Sequence, residues 1–128
     1  MTVVLDASAV LAVILGESGA EQVIQKLADG HLATVNLSET LAKLIEYGLP
    51  AAEAQRQIGR LELQMHDFTP EHATAVAALR ASTREFGLSL GDRACLALGQ
   101  SLRLPVLTAD RQMAAAQEKL ALDIRLIR

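Results

Sequence analysis

The 128-residue chain predicts an α/β domain built on a mainly parallel sheet of five strands. Two observations predict it. Short, apolar, β-branched runs alternate with longer stretches of helical periodicity along the whole chain, the pattern of strand–helix–strand units. Hydrophobic residues make up 51% of the sequence, enough for a buried core, and the length fits one domain over 1–128.

The elements follow in order. TVVL at 2–5 reads as a buried strand, and a helix over 7–15 is stopped by Gly16. Residues 17–30 read as an amphipathic helix: Ser18 and Glu21 have capping-box spacing, and Val23, Ile24 and Leu27 share a face. HLATV at 31–35 is a second strand. One helix then runs from Asn36 to Gly48 and another from Pro50 to Leu63, with proline in a first turn where its missing N–H does no harm. This pair is longer than one crossover needs and predicts a projecting hairpin. Its apolar face (Leu41, Leu44, Ile45, Ile58, Leu61) reads as core. QMHDF at 64–68 is the third strand, followed by a helix from Thr69 to Phe86 and another over 90–102. PVLTA at 105–109, a helix over 110–120 and DIRLI at 123–127 complete the pattern.

Composition narrows the function. The only aromatics are Tyr47, Phe68 and Phe86, so the core is aliphatic and there is little platform for stacking single-stranded bases. The net charge is −3, and no basic run marks a nucleic-acid or membrane surface. The single cysteine, Cys95, forms neither an intramolecular disulfide nor a Cys-based metal site. The longest apolar stretch, 9–15, is far below the roughly 20 residues a membrane span needs, and the start of the chain lacks a basic signal-peptide region. A cytoplasmic protein with no membrane partner is expected.

The acids carry the chemistry. In a parallel sheet every strand's carboxyl end lies on one edge, where ligands bind. Asp6 directly follows strand one, Glu39 lies early in the helix after strand two, and Asp110 follows strand four. Asp92 opens a helix whose starting edge depends on the path of the preceding one. Each acid taken singly also fits helix capping: Asn36 with Glu39, Ser89 with Asp92, and Thr108 ahead of Asp110. Capping does not require several acids to converge, however, and convergence is costly without a cation. Oxygen ligands without Cys or His suit Mg²⁺ or Mn²⁺ rather than zinc. His31, His66 and His72 neighbour no acid motif and read as surface or structural, which disfavours histidine-based cleavage.

Four stretches, LDASAVLA at 5–12, VNLSETLAKL at 35–44, LSLGDRACLAL at 88–98 and VLTADRQMA at 106–114, together resemble the PIN domain, and more narrowly the VapC-type toxins of bacterial toxin–antitoxin pairs. The resemblance covers essentially the whole chain. It implies a three-layer α/β/α ribonuclease whose acids bind Mg²⁺ or Mn²⁺ and cut RNA, usually dimeric and silenced by a cognate antitoxin. The acids carried over are Asp6, Glu39, Asp92 and Asp110, with Ser8, Asn36 and Thr108 as surrounding polar positions. Asp6 and Asp110 are the first choice for direct ligands, then Asp92, while Glu39 binds through water or orients it. Arg93 and Arg111 each follow a proposed ligand and could reach RNA phosphates or pair with nearby acids.

Rivals fit less well. A phospho-acceptor receiver domain wants paired acids after strand one and a late lysine, where this chain has Asp6 alone and Asp110. A DxD phosphatase fails because position 8 is serine. A non-catalytic binding module would be favoured by a missing acid, and all four are present. A PIN nuclease that processes RNA outside a toxin pair remains the nearest alternative.

Overall fold

The structure is a computed structural model that describes residues 2–128. Strands β1 (Val4–Leu5), β2 (His31–Ala33), β3 (Gln64–His66), β4 (Val106–Thr108) and β5 (Ile124–Leu126) form one sheet. Its order is β3-β2-β1-β4-β5, and every neighbouring pair is parallel. The helices are α1 (Ala7–Leu15), α2 (Ala20–Ile24), α3 (Thr34–Glu46), α4 (Ala51–Gly59), α5 (Pro70–Ser82), α6 (Leu90–Leu102), α7 (Arg111–Ala115) and α8 (Gln117–Leu120).

A parallel sheet covered on both faces needs apolar side chains on both faces, which is why VVL at 3–5 does not alternate with polar residues. Val3 and Leu5 pack with Leu32 and Leu107 against Val10 of α1 and Val23 of α2. Val4, Ala33 and Val106 pack the other way, against Val76 of α5, Leu96 of α6 and Met113 of α7. This is the expected three-layer arrangement. Helix α6 lies close to β4, since a Cβ added to Gly99 would sit 2.7 Å from Val106 Cγ2.

A third cluster joins Leu44 of α3 with Ala54 and Ile58 of α4 and packs them on Leu11, Ile14 and Leu15 of α1. The α3–α4 hairpin therefore leans on α1 instead of standing free. Of its expected apolar face, Ile45 stays out of the core, at 47% exposure.

Several boundaries differ from the sequence expectation. The helix expected over 17–30 shrinks to α2, because Gly19 at φ 93° precedes it and no side chain caps it. The backbone of Ile127 packs where a Gly19 Cβ would be. Helix α3 begins at Thr34, and the Thr34 hydroxyl accepts from Phe68 N at 3.1 Å. Edge strand β3 ends at His66, the helix after it stops at Ser82 before a 3-10 turn over Arg84–Phe86, and the helix expected over 110–120 breaks at Ala116.

The route into α6 is now clear. His72 Nε2 lies 2.9 Å from Ala94 O, and Arg93 Nη1 donates to Val76 O at 3.0 Å. As α5 advances its contacts move backward along α6, so α5 climbs toward the start of α6. That path delivers Asp92 to the carboxyl edge of the sheet. Cys95 lies buried beneath as a free thiol, and burial pushes its pKa well up. Among the described residues no helix is long and apolar enough to cross a membrane.

Candidate functional site

The strand order places a switch point between β1 and β4. The chain leaves β1 into α1 on one face and leaves β4 into α7 on the other, which opens a crevice at the carboxyl ends. Asp6 stands at one side of it, its N–H donating to Leu107 O at 3.0 Å. Asp6 occupies the N-cap position of α1, yet its side chain caps nothing. Its Oδ2 accepts instead from Ser8 Oγ at 2.7 Å and Thr108 Oγ1 at 2.9 Å. Those hydroxyls are positioned in turn by backbone donors: Ala109 N to Ser8 Oγ at 2.9 Å, and Asp110 N to Thr108 Oγ1 at 3.0 Å. Burial raises the Asp6 pKa, the two hydroxyls oppose the rise, and the charges of Asp92 and Glu39 add to it. The pKa moves from its ordinary 3.8 to about 6.

Asp6, Glu39 and Asp92 line one cavity of 390 Å³, together with Ser8, Leu11 and Lys43. Glu39 is held by Asn36, whose Nδ2 donates to Glu39 Oε1 at 2.9 Å and to Gly91 O at 3.0 Å. Asn36 is therefore not a cap residue, as its spacing to Glu39 suggests. It lies inside the first turn of α3, fully buried, and ties α3 to α6. Both Nδ2 partners are acceptors, which fixes the amide orientation. Its Oδ1 is left buried without a partner among the described residues.

Asp92 does cap, as expected. Its N–H donates to Ser89 Oγ at 3.1 Å, and Ser89 N donates back to Asp92 Oδ2 at 3.0 Å. Asp110 caps α7, its Oδ1 accepting from Gln112 N at 2.8 Å. It stands outside the lining of the cavity and is joined to Asp6 through Thr108. Gly91 was not singled out by the sequence. A Cβ there would fall on the Glu39 carboxylate, so the α6 backbone forms the seat on which Glu39 rests. Lys43 was also missed, although it is four residues beyond Glu39 and so on the same helical face.

One pattern runs through all four acids. Each has one oxygen bonded by its own chain: Asp6 Oδ2, Glu39 Oε1, Asp92 Oδ2 and Asp110 Oδ1. The other oxygen of each has no hydrogen-bond partner among the described residues. Among those residues no three Asp, Glu, His or Cys side chains are gathered into a ligand cluster. The acids line a cavity without closing on its centre. An oxygen-only donor set with one open oxygen on each acid fits a hard divalent cation.

The remaining candidates lie elsewhere. Arg93 is buried, at 8% exposure, and faces a different cavity from the acids. Arg111 is exposed at the start of α7. His31 Nδ1 and His66 Nε2 lie 2.8 Å apart across β2 and β3, and neither these nor His72 lines the acidic cavity.

Comparison with known proteins gives the same outline. The family profile described as PIN domain matches residues 3–119. A toxin–antitoxin complex from Klebsiella pneumoniae superposes with a TM-score of 0.75 at 19% identity, covering 99% of this chain and 98% of that one. VapBC2 from Rickettsia felis, bound to a DNA fragment from its promoter, gives 0.74 at 13% identity over 98% of each chain. VapBC-5 from Mycobacterium tuberculosis, a member of the VapBC family of toxin–antitoxin systems, gives 0.59 at 22% identity, covering 99% of this chain and 98% of that one. No curated protein matches the sequence significantly.

Proposed function

This chain belongs to the PIN-domain family, and from that membership we propose that it is a metal-dependent endoribonuclease, the toxin of a toxin–antitoxin pair. The observation that carries the catalytic reading is the set of four strand-end and helix-start carboxylates, each with one oxygen fixed and one open. Capping alone would not leave Asp6 buried at a helix start without using it as a cap. The toxin reading draws on solved neighbours of nearly equal length described as toxin–antitoxin complexes. It brings an antitoxin as partner and a homodimer as the working assembly.

Asp6, Asp92 and Asp110 would hold Mg²⁺ or Mn²⁺, with Glu39 ligating through water or orienting the attacking water. When bound, the cation supplies Lewis-acid polarisation of the phosphate and activation of water. The residues of the chain do the rest. Ser8 and Thr108 fix the Asp6 carboxylate so that its free oxygen faces one direction. Asn36 and Gly91 seat Glu39. The reaction is phosphodiester hydrolysis: water adds to phosphorus, the bond to the leaving sugar oxygen breaks, and that oxygen gains a proton.

The test is incubation of purified, antitoxin-free protein with structured cellular RNAs in Mg²⁺, in Mn²⁺ and in chelator, beside Asp6→Asn. Metal-dependent cuts absent from the variant are expected, and their positions name the substrate. Cleavage that survives in Asp6→Asn or in chelator would overturn the mechanism.

A further inference from the structure

Arg80 at the end of α5, Arg84 in the 3-10 turn and Arg93 of α6 line one cavity of 350 Å³ with Thr83, Gly87 and Leu88. No carboxylate lines it, in a chain whose net charge is −3. None of the three arginines forms an ion pair with a described residue. The nearest acid along the turn, Glu85, is taken up by Lys119 at 2.6 Å. Arg93 is the unusual member. Its Nη1 donates to Val76 O at 3.0 Å, while its Nε is buried with no partner among the described residues. A buried guanidinium edge without an acceptor is costly, and a planar fork of this kind matches a phosphate or carboxylate. The helix offers a second clue. Asp92 faces the acidic cavity and Arg93, the next residue, faces this one. The start of α6 therefore contributes a wall to both cavities.

We propose that the Arg80–Arg84–Arg93 cavity binds a phosphate of the RNA strand, a neighbour of the phosphate that lies at the acids. The assignment rests on the ribonuclease reading above. It explains how an acidic protein with few aromatics holds RNA: the guanidinium groups gather at one spot instead of spreading as a basic surface. Arg93 sets the position from within, and the exposed Arg80 and Arg84 close on the phosphate from outside.

The experiment uses the full chain with chelator present, so that cleavage plays no part. A labelled single-stranded RNA is titrated by anisotropy across a range of salt, against wild type and Arg80→Gln/Arg84→Gln, and inorganic phosphate is titrated separately by NMR. Both substituted residues are exposed, so the variant is expected to fold, and its melting temperature checks this. The double variant should bind RNA about ten-fold more weakly, with the log–log salt slope smaller by about 0.7, one single-strand phosphate contact. Phosphate should perturb the Arg93 Nε signal in the wild type and not in the variant. An unchanged RNA slope in a folded variant would overturn the proposal while metal-dependent cleavage by wild type left the nuclease intact. If wild type neither cleaves nor binds RNA yet takes up phosphate, the cavity serves another anion and both readings fall.

Discussion

Replacing Asp6 by asparagine should stabilise the protein when no metal is present. The carboxylate is buried at 5% exposure, and its pKa lies near 6 instead of 3.8, chiefly through burial. A raised acid pKa means that the folded state binds the proton more tightly than the unfolded one. The associated stability is fully present below about pH 4 and is lost as pH rises through about 6. At pH 8 the wild type therefore bears a penalty of about 3 kcal/mol from the charged side chain. Asparagine keeps the shape, and its oxygen can still accept from Ser8 and Thr108. In chelator at pH 8 the variant should gain up to about 3 kcal/mol, or roughly 10 °C in melting temperature for a domain of this size. At pH 4 the difference should largely vanish. Adding Mg²⁺ should close the gap at about 100 times its Kd, where it stabilises wild type by about 2.7 kcal/mol and the variant hardly at all, and should reverse the ranking at about 1,000 times its Kd, where the gain is about 4.1 kcal/mol. Thermal melts from pH 4 to pH 8, with and without Mg²⁺, read every arm. Equal stability of the two proteins at pH 8 in chelator, with the same slope against pH, would refute the reasoning.

Other substitutions probe the supports of the site. Gly91→Ala normally favours a helix by about 1 kcal/mol; here the new Cβ falls on Glu39, so we expect destabilisation of about 1–3 kcal/mol in urea melts and loss of most metal-dependent cleavage. Thr108→Val removes a buried donor to Asp6 and the acceptor of Asp110 N, and should cost about 1–3 kcal/mol by the same measurement while raising the Asp6 pKa further, read by carboxyl NMR. Ser89→Ala breaks half of the capping box and should cost about 1 kcal/mol. Its cleavage rate should fall no further than stability explains, because the Asp92 carboxylate is held by the backbone N–H of residue 89, which alanine keeps.

The strand–helix alternation was legible because parallel strands buried on both faces leave continuous apolar runs such as VVL and PVL, and these are hard to mistake. The acids at strand ends were legible for the same reason: topology alone carries Asp6 and Asp110 to one edge. What sequence could not show depends on contacts between distant elements. Asn36 looks like a cap until α3 is seen to start at Thr34, a shift tied to the contact with Phe68 N. The Ser18–Glu21 pattern looks like a capping box until Gly19 is found against Ile127. Gly91 reads as an indifferent helix residue, and only its approach to Glu39 gives it meaning. The edge reached by Asp92 hung on the direction of α5, which periodicity does not encode. Arg93 and Arg111 look equivalent in sequence, each following an acid, but one is buried in its own cavity and the other is exposed.

The central strand has one more implication. Strand β1 is only two residues long, but it is paired on both sides, and Asp6 is hydrogen-bonded to β4 directly beyond it. Fraying of an edge strand or a helix end leaves that position untouched. Amide exchange at Asp6 should thus be among the slowest in the molecule, close to the limit set by global opening. Mild denaturant would then yield a mixture of fully working and fully dead molecules, with few that are half-competent. The acidic edge is thereby tied to the integrity of the whole sheet, because its first acid sits at the centre of that sheet.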